Sequence, residues 1–191
     1  MPYPSRVNEV RLVESAWQMI GTEGSAEQVS LAKLAAAFGV KAPSLYRYFP
    51  NKTELVRAVN LLTLTRMNAH LLGALENLTA GAATQRALAM GHAYRAFARQ
   101  YPAQYRLAYH SNGVQPAIEA LEALALPVQQ VMAELVGPEK ALLALRGAWA
   151  LLHGFASLEI NQAFRRAGDL DAAFEGAWLA YVRGWAANPL G

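Results

Sequence analysis

The sequence predicts an all-α protein, and three observations carry that prediction. Gly and Pro divide the 191 residues into segments whose apolar positions recur every three or four residues. No alternating run is long enough for a convincing strand, and a mild alanine enrichment favours helix. A composition 54% hydrophobic and 16% charged argues against disorder, and the chain is long enough to bury a core without staples. The absence of cysteine excludes disulfides, thiolate zinc sites, iron–sulfur clusters and cysteine nucleophiles, and fits a reducing compartment.

The first helix is expected over residues 5–21, with Val10, Val13, Ala16, Trp17 and Ile20 on one face, stopping in the turn at Gly21 and Gly24. Ser30 caps a short second helix ending at Phe38 and Gly39, where Gly39 supplies a left-handed C-cap. A third begins near Pro43, whose missing N–H has no partner in a first turn anyway, and ends at Phe49 and Pro50. Asn51-Lys52-Thr53-Glu54 has the form of a capping box and opens a long fourth helix toward Glu76. Beyond a linker at 79–83, helices are expected at 84–100, 102–109, 115–136, 139–167 and 171–187. Pro102, Pro116 and Pro138 mark three of their starts, and Gly113, Gly137 and Gly168 the joints.

The most apolar stretch, residues 141–160, is broken by Arg146, His153 and Glu159. It reads as a buried helix, since a membrane span needs about 20 mostly apolar residues in a row. Residues 1–6 carry no apolar block and no small-residue cleavage site, so no signal peptide is expected, and a cytoplasmic location is.

Net charge is only +3, but it is unevenly divided. Residues 1–27 carry −2, residues 28–66 carry six bases against Glu54 alone for +5, residues 67–118 carry +3, and residues 119–191 carry −3. The basic density coincides with a short helix, a glycine turn and a second short helix, from Ser30 to Phe49. That is a helix-turn-helix, in which Leu34, Ala35, Val40, Leu45 and Phe49 form the small core that fixes the helix crossing. The opposite side of the third helix shows Pro43 and Arg47, flanked by Ser44 and Tyr46. Such a face offers donors and a ring edge to the bases and phosphates of a major groove.

Residues 5–60 resemble the DNA-binding domain of the TetR family of transcriptional regulators, matching at Leu34-Ala35, Gly39-Val40, Leu45-Tyr46, Tyr48-Phe49, Lys52 and Leu55. The resemblance implies that Tyr46 and Lys52 hold phosphates, while Lys41, Ala42, Pro43, Ser44 and Arg47 approach the bases; Tyr48 completes the expected DNA-binding set. Lys41 departs from the small polar residue common at its position. From the residues alone, Leu45 and Phe49 read as core. Tyr46 lies off the core face, and Lys52 sits beside a helix N-terminus, where a cation is mildly unfavourable until an anion arrives.

The second half resembles the regulatory domain of one TetR subgroup, whose Trp-x-x-x-His-Gly signature stands here as Trp149 to Gly154. The implied division is a DNA-binding domain over 1–56 and a ligand-binding and dimerisation domain over 57–191. The helix predicted over 139–167 is apolar all round between Leu142 and Leu158, and must be covered on every side. One stripe is small, with Gly147, Ala150, Gly154 and Ser157; another holds Leu145, Trp149, Leu152 and Ala156. The last helix divides likewise, with Ala173, Ala177, Ala180 and Gly184 against Phe174, Trp178, Tyr181 and Trp185. These two helices are expected to pair with their symmetry mates in a four-helix homodimer interface.

Tyr94, Phe97 and Tyr101 fall at i, i+3 and i+7, and Tyr105, Tyr109, His110, Trp149 and His153 are expected to converge on the same interior. An aromatic stripe at this spacing is more often plain core, but as a group these residues suit a small-molecule pocket for a hydrophobic or planar effector. The expected partners are therefore double-stranded DNA, a small-molecule effector and a second copy of the chain, with no cofactor, no metal and no membrane. Catalysis is disfavoured: His70, His92, His110 and His153 lack metal-ligand spacing, and no glycine-rich phosphate loop or nucleophile elbow occurs. The remaining alternative is a protein-interaction adaptor with a vestigial helix-turn-helix, which would have no DNA affinity at low salt.

Overall fold

A computed structural model describes residues 7–79, 82–110 and 118–187, and among them the chain is all helical. The α-helices are α1 (Glu9–Glu23), α2 (Leu31–Ala37), α3 (Lys52–Gly73), α4 (Ala83–Gln100), α5 (Pro102–His110), α6 (Ile118–Val136), α7 (Ala141–Ile160) and α8 (Leu170–Ala187), with 3-10 turns at Ala26–Gln28 and Ala42–Leu45. Packing divides the chain into one unit of Met1–Arg66 with Tyr101–Ala120, and another of Met67–Gln100 with Leu121–Gly191. This differs from the 1–56 and 57–191 division read from the sequence. Ala103 and Leu107 of α5 are buried in the same core cluster as α1, α2 and the start of α3, so packing assigns α5 to the first unit.

In the first unit, α1 starts at Glu9 rather than residue 5 because the Asn8 side chain accepts from Arg11 N at 2.9 Å. It runs on to Glu23 and stops at Gly24, whose φ of 77° admits the left-handed cap. Leu12, Val13, Ala16, Trp17 and Ile20 face the core; Val10, expected on that face, is 77% exposed. Full burial of Leu12, Leu34, Leu45 and Leu55 contributes about 1.5–3 kcal/mol each. Trp17 organises the polar contacts of this unit. Its Nε1 donates to Thr63 Oγ1 at 3.1 Å, its carbonyl accepts from Gln104 Nε2 at 2.9 Å, and the Arg66 guanidinium lies 4.2 Å over its ring.

The second unit is built around α4, which packs against α7 and α8. Trp178 crosses α4 at Gly91, and its Nε1 is shared between the carbonyls of Ala87 at 3.2 Å and Leu88 at 3.3 Å. Arg95 is buried between the rings of Phe155 and Phe174, at 5.3 and 4.7 Å. It forms a two-pronged pair with Glu159 at 2.7 and 2.6 Å and a further contact to Asp171 at 2.7 Å, joining three helices. Hydrogen bonding to Glu159 raises the Arg95 pKa, and hydrogen bonding to Arg95 lowers that of Asp171. α6 contains Pro127, which forgoes one helical hydrogen bond. The expected start of α6 at 115–117 lies outside the described residues.

Two helices end earlier than the sequence predicts. α3 gives way after Gly73 to a series of turns instead of running to Glu76. α7 stops at Ile160 rather than 167, in a Schellman motif: Ala163 N donates to Leu158 O at 2.8 Å, Gln162 N to Glu159 O at 2.9 Å, and Gln162 takes φ 53°. The tilted contact of the Phe164 ring with Phe155, with centroids 5.0 Å apart, holds the reversed chain. α7 is long and apolar enough to cross a membrane by length and composition, with a hydropathy of 1.4 and only 33% of that window buried. The reading of α7 as a buried helix thus holds for one face, Ala141, Ala144, Leu145, Ala148, Leu152 and Ala156, while Leu142, Leu143 and Leu158 are exposed.

Candidate functional site

The segment from Ser30 to Lys52 is shaped by local rules. Ser30 Oγ accepts from Lys33 N at 3.1 Å and starts α2. α2 closes in a Schellman motif, with Val40 N donating to Ala35 O and Gly39 N to Ala36 O, both at 3.0 Å, around Gly39 at φ 67°. Any side chain at Gly39 would strain this reversal. Lys41 is extended, and the chain enters a 3-10 turn over Ala42–Leu45 in place of the regular helix expected from Pro43. Tyr48 N and Phe49 N then both donate to Leu45 O at 2.9 Å, which continues the turn as far as Phe49. Asn51 Oδ1 accepts from Glu54 N at 3.0 Å and opens α3, while the Glu54 carboxylate pairs with Arg57.

Leu45 and Phe49 point into the core, and the other side of this turn faces outward. Lys41, Pro43, Ser44, Tyr46, Arg47 and Lys52 are exposed, whereas Ala42 and Tyr48 are half-buried. The Tyr48 hydroxyl donates to Val7 O at 2.9 Å and accepts from Arg47 Nη2 at 2.8 Å. The Arg47 guanidinium lies 4.7 Å over the Tyr48 ring, so its orientation is set by stacking as well as by that bond. Lys52 Nζ donates to the carbonyl of Glu27 at 3.0 Å. Among the described residues no carboxylate pairs with Lys41, Arg47 or Lys52, whereas Lys33 is paired with Glu23 at 3.1 Å and Arg57 with Glu54 at 2.5 Å. The face therefore carries Arg47 and Lys52 on neutral partners, open to an anion.

The residues expected to form one pocket are divided between the two units. Tyr94, Phe97, Trp149 and His153 belong to the second unit. There the Tyr94 hydroxyl lies 3.4 Å from His153 Nδ1, the Tyr94 and Trp149 rings meet edge-on at 6.0 Å, and Phe97 contacts the His70 ring at 5.9 Å. His153 Nε2 also lies 3.4 Å from Ser157 Oγ. Tyr101, Tyr105 and Tyr109 belong to the first unit. Tyr101 is not on the α4 stripe, because Pro102 disfavours helical backbone at the preceding residue and α4 ends at Gln100. Its ring packs edge-on against Trp17 at 4.9 Å, and Tyr105 packs against Tyr109 at 4.8 Å. The side chain of His110 lies outside the described residues. The sequence reading passed over Asn60, a fully buried amide on α3; the available signal was a polar residue one turn from the buried Val56 and Leu64.

Comparison with known proteins bears on both halves of the chain. Residues 12–59 match the family model of bacterial regulatory proteins of the tetR family, and residues 87–181 match that of a tetracyclin repressor-like C-terminal domain. The chain is 30% identical over 186 residues to an uncharacterized HTH-type transcriptional regulator of Mycobacterium tuberculosis, covering 95% of this chain and 83% of that protein. It is 29% identical over 162 residues to the regulator YobS of Bacillus subtilis, covering 83% and 82%. A protein of unknown function from Rhodococcus sp. RHA1 has the same fold, with TM-score 0.78, 24% identity and 97% and 100% coverage. So does a TetR variant from Acinetobacter baumannii solved with minocycline, with TM-score 0.71, 20% identity and 97% and 99% coverage.

Proposed function

The chain belongs to the TetR family of DNA-binding transcriptional regulators, and from that premise we infer that it is a dimeric repressor of a palindromic operator, released by a small hydrophobic or aromatic effector. The observation that carries this reading is the outward face of the turn after Gly39, where Lys41, Pro43, Ser44, Tyr46, Arg47 and Lys52 are exposed together and the cations lack carboxylate partners among the described residues. In this reading Tyr46 and Lys52 bind phosphates, with N–H groups at the start of α3, while Lys41 to Ser44 and Arg47 approach base edges. Tyr48 serves by positioning Arg47 and tying the turn to Val7.

Dimerisation is supported by the apolar surface that α7 and α8 leave uncovered in one subunit. Leu142, Leu143, Leu158 and the small residues Ala150, Ala173, Ala180 and Gly184 are all exposed, which suits a four-helix contact between copies. We assign the second unit to the Trp-x-x-x-His-Gly subgroup on Trp149, His153 and Gly154, and read Tyr94, Phe97, Trp149 and His153 as effector-site candidates. The effector acts through differential affinity for two conformations, favouring one in which the recognition segments no longer match major grooves about 34 Å apart. α3, which starts at Lys52 and is the covalent link between the DNA-binding turn and the second half, transmits that change. A cytoplasmic location follows from this role.

The test is fluorescence anisotropy of the protein against DNA from immediately upstream of its own gene, at two salt concentrations and with unrelated DNA as competitor. Tight, salt-sensitive binding that survives the competitor is expected. Binding abolished by the competitor there, and no enrichment in a random-sequence selection, would refute the regulator reading in favour of an adaptor. Sedimentation at micromolar concentration should give a dimer mass.

A further inference from the structure

The outward face of the turn after Gly39 offers hydrogen-bond donors of several kinds, and one of them combines a fixed orientation with paired donors. Lys41 and Lys52 end in ammonium groups on flexible stems. Ser44 and Tyr46 carry hydroxyls that rotate to donate or accept, and Pro43 has no donor. Arg47 is exposed as well, but its planar guanidinium is held twice. It lies 4.7 Å over the Tyr48 ring, and its Nη2 donates to the Tyr48 hydroxyl at 2.8 Å. That hydroxyl donates its own proton to the carbonyl of Val7 at 2.9 Å, so it meets Arg47 as an acceptor. Val7 is buried in the core cluster that also holds Leu45 and Phe49, which anchors the far end of this chain of bonds.

A guanidinium has five N–H bonds, and its two-donor edges are Nε with Nη2 and Nη2 with Nη1. Each Nη2 hydrogen belongs to one of those edges. The bond to Tyr48 occupies one Nη2 hydrogen and leaves one complete edge open, with no carboxylate to fill it among the described residues. Two parallel donors need two adjacent acceptors. In the major groove guanine presents that pattern, with O6 and N7, whereas adenine sets a donor beside its acceptor, thymine a methyl group beside its acceptor, and cytosine a donor. A phosphate accepts from many directions and gains little from a donor plane held in place. A base edge, which lies in one plane, gains from it directly.

We propose that Arg47, oriented by Tyr48, reads a guanine in the major groove of each operator half-site and so determines part of this chain's sequence specificity. This rests on the reading of the protein as a regulator of a palindromic operator, and it names the base that one residue of the face selects. The guanidinium keeps its bond to Tyr48 while its open edge meets O6 and N7. Tyr48 is a positioning residue, acting on DNA only through Arg47.

The experiment selects a site from a random-sequence library with the full chain, then changes each guanine of the selected half-site in turn. At one position, adenine should weaken binding of the native chain by roughly 5- to 150-fold. At that position 7-deazaguanine, which keeps its pairing but lacks N7, should weaken it at least threefold. Both penalties should fall below twofold in Arg47→Ala, measured at low salt, where the phosphate contacts keep the variant bound. In Tyr48→Phe the adenine penalty should fall at least threefold while the charge on the face is unchanged. A half-site without guanine, or penalties that persist in Arg47→Ala, would overturn the proposal, the second by assigning the guanine to another residue. An undiminished penalty in Tyr48→Phe would overturn the part given to Tyr48. A native chain that enriches no site refutes the regulator reading itself, whereas one that enriches a site indifferent to Arg47 refutes this assignment alone.

Discussion

Replacing Lys52 by alanine tests the phosphate assignment quantitatively. Lys52 is exposed, its Nζ is bound only to the neutral carbonyl of Glu27, and no carboxylate competes for it among the described residues. A phosphate can therefore capture the ammonium without breaking an ion pair. Each neutralised phosphate contributes about 0.9 to the slope of log K against log salt, so a dimer that loses two such contacts should show a slope flatter by about 1.8. Between about 50 and 200 mM salt, a fourfold change, that difference amounts to roughly a tenfold convergence of variant and native affinities. The assay is anisotropy on the selected operator at four or more salt concentrations, with urea unfolding as the control for the lost Glu27 bond, which should cost no more than about 1 kcal/mol. Parallel salt lines for the two proteins would refute the reasoning, because a weaker affinity without a changed slope means that no phosphate charge was removed.

Three further outcomes follow from the packing. Tyr48→Phe should lower stability by about 0.5–1.5 kcal/mol in urea unfolding, through loss of the bonds to Val7 and Arg47, and should leave the salt slope of DNA binding unchanged. Gly91→Ala should destabilise the protein, because an added Cβ falls on the Trp178 indole. Overpacking of about 1–3 kcal/mol and a strained indole bond outweigh the helix gain of about 1 kcal/mol, and a raised urea midpoint would contradict this. The Asp171 carboxyl is held below its ordinary range chiefly by its hydrogen bond from Arg95. A depressed carboxyl contributes stability that is present above the unfolded value, about 3.9, and is lost as pH falls through the lower folded value. Melting temperature should thus fall more steeply below about pH 4 in the native chain than in Asp171→Asn.

The helix-turn-helix could be read from the sequence because its punctuation is local. Ser30 caps, Gly39 reverses and Asn51 caps again, and each needs only residues within five positions. The end of α7 could not, because the left-handed position of its Schellman motif is filled by Gln162 rather than glycine. That conformation costs a non-glycine residue about 1–2 kcal/mol and is offset by a side-chain contact across the reversal, Phe164 with Phe155, that no capping residue announces. The aromatic candidates are divided between the two units for a related reason. The i, i+3, i+7 count that joined Tyr94, Phe97 and Tyr101 assumed one helix, but Pro102 breaks it and sends Tyr101 to Trp17. The turn after Ala42 kept its outward face although its backbone is 3-10 rather than α, since Leu45 and Phe49 anchor either geometry. Asn60 escaped notice because helical periodicity says which residues are buried and nothing about whether a buried amide is paired.

The basic density of residues 28–66 overstates the charge available to DNA, because three of its six cations, Lys33, Arg57 and Arg66, are paired with carboxylates. Lys33 and Arg57 are paired with the carboxylates of Glu23 and Glu54, whereas Arg47 and Lys52 rest on a tyrosine and a backbone carbonyl. A cation leaving a carboxylate for a phosphate exchanges one anion for another, and the released carboxylate then repels the DNA. A cation leaving a carbonyl or a ring loses only a neutral contact. Exposed pairs such as Lys33 with Glu23 are worth at most about 1 kcal/mol, so they do not lock the lysine, but they cancel its charge at the distances over which phosphate is sensed. Lys33→Ala should therefore change the salt slope by well under half of what Lys52→Ala does, although Glu23→Gln should strengthen DNA binding by freeing the same lysine. Equal slopes for the Lys33 and Lys52 variants, with no effect of Glu23→Gln, would mean that the carboxylate pairs do not matter and that net charge alone governs the face.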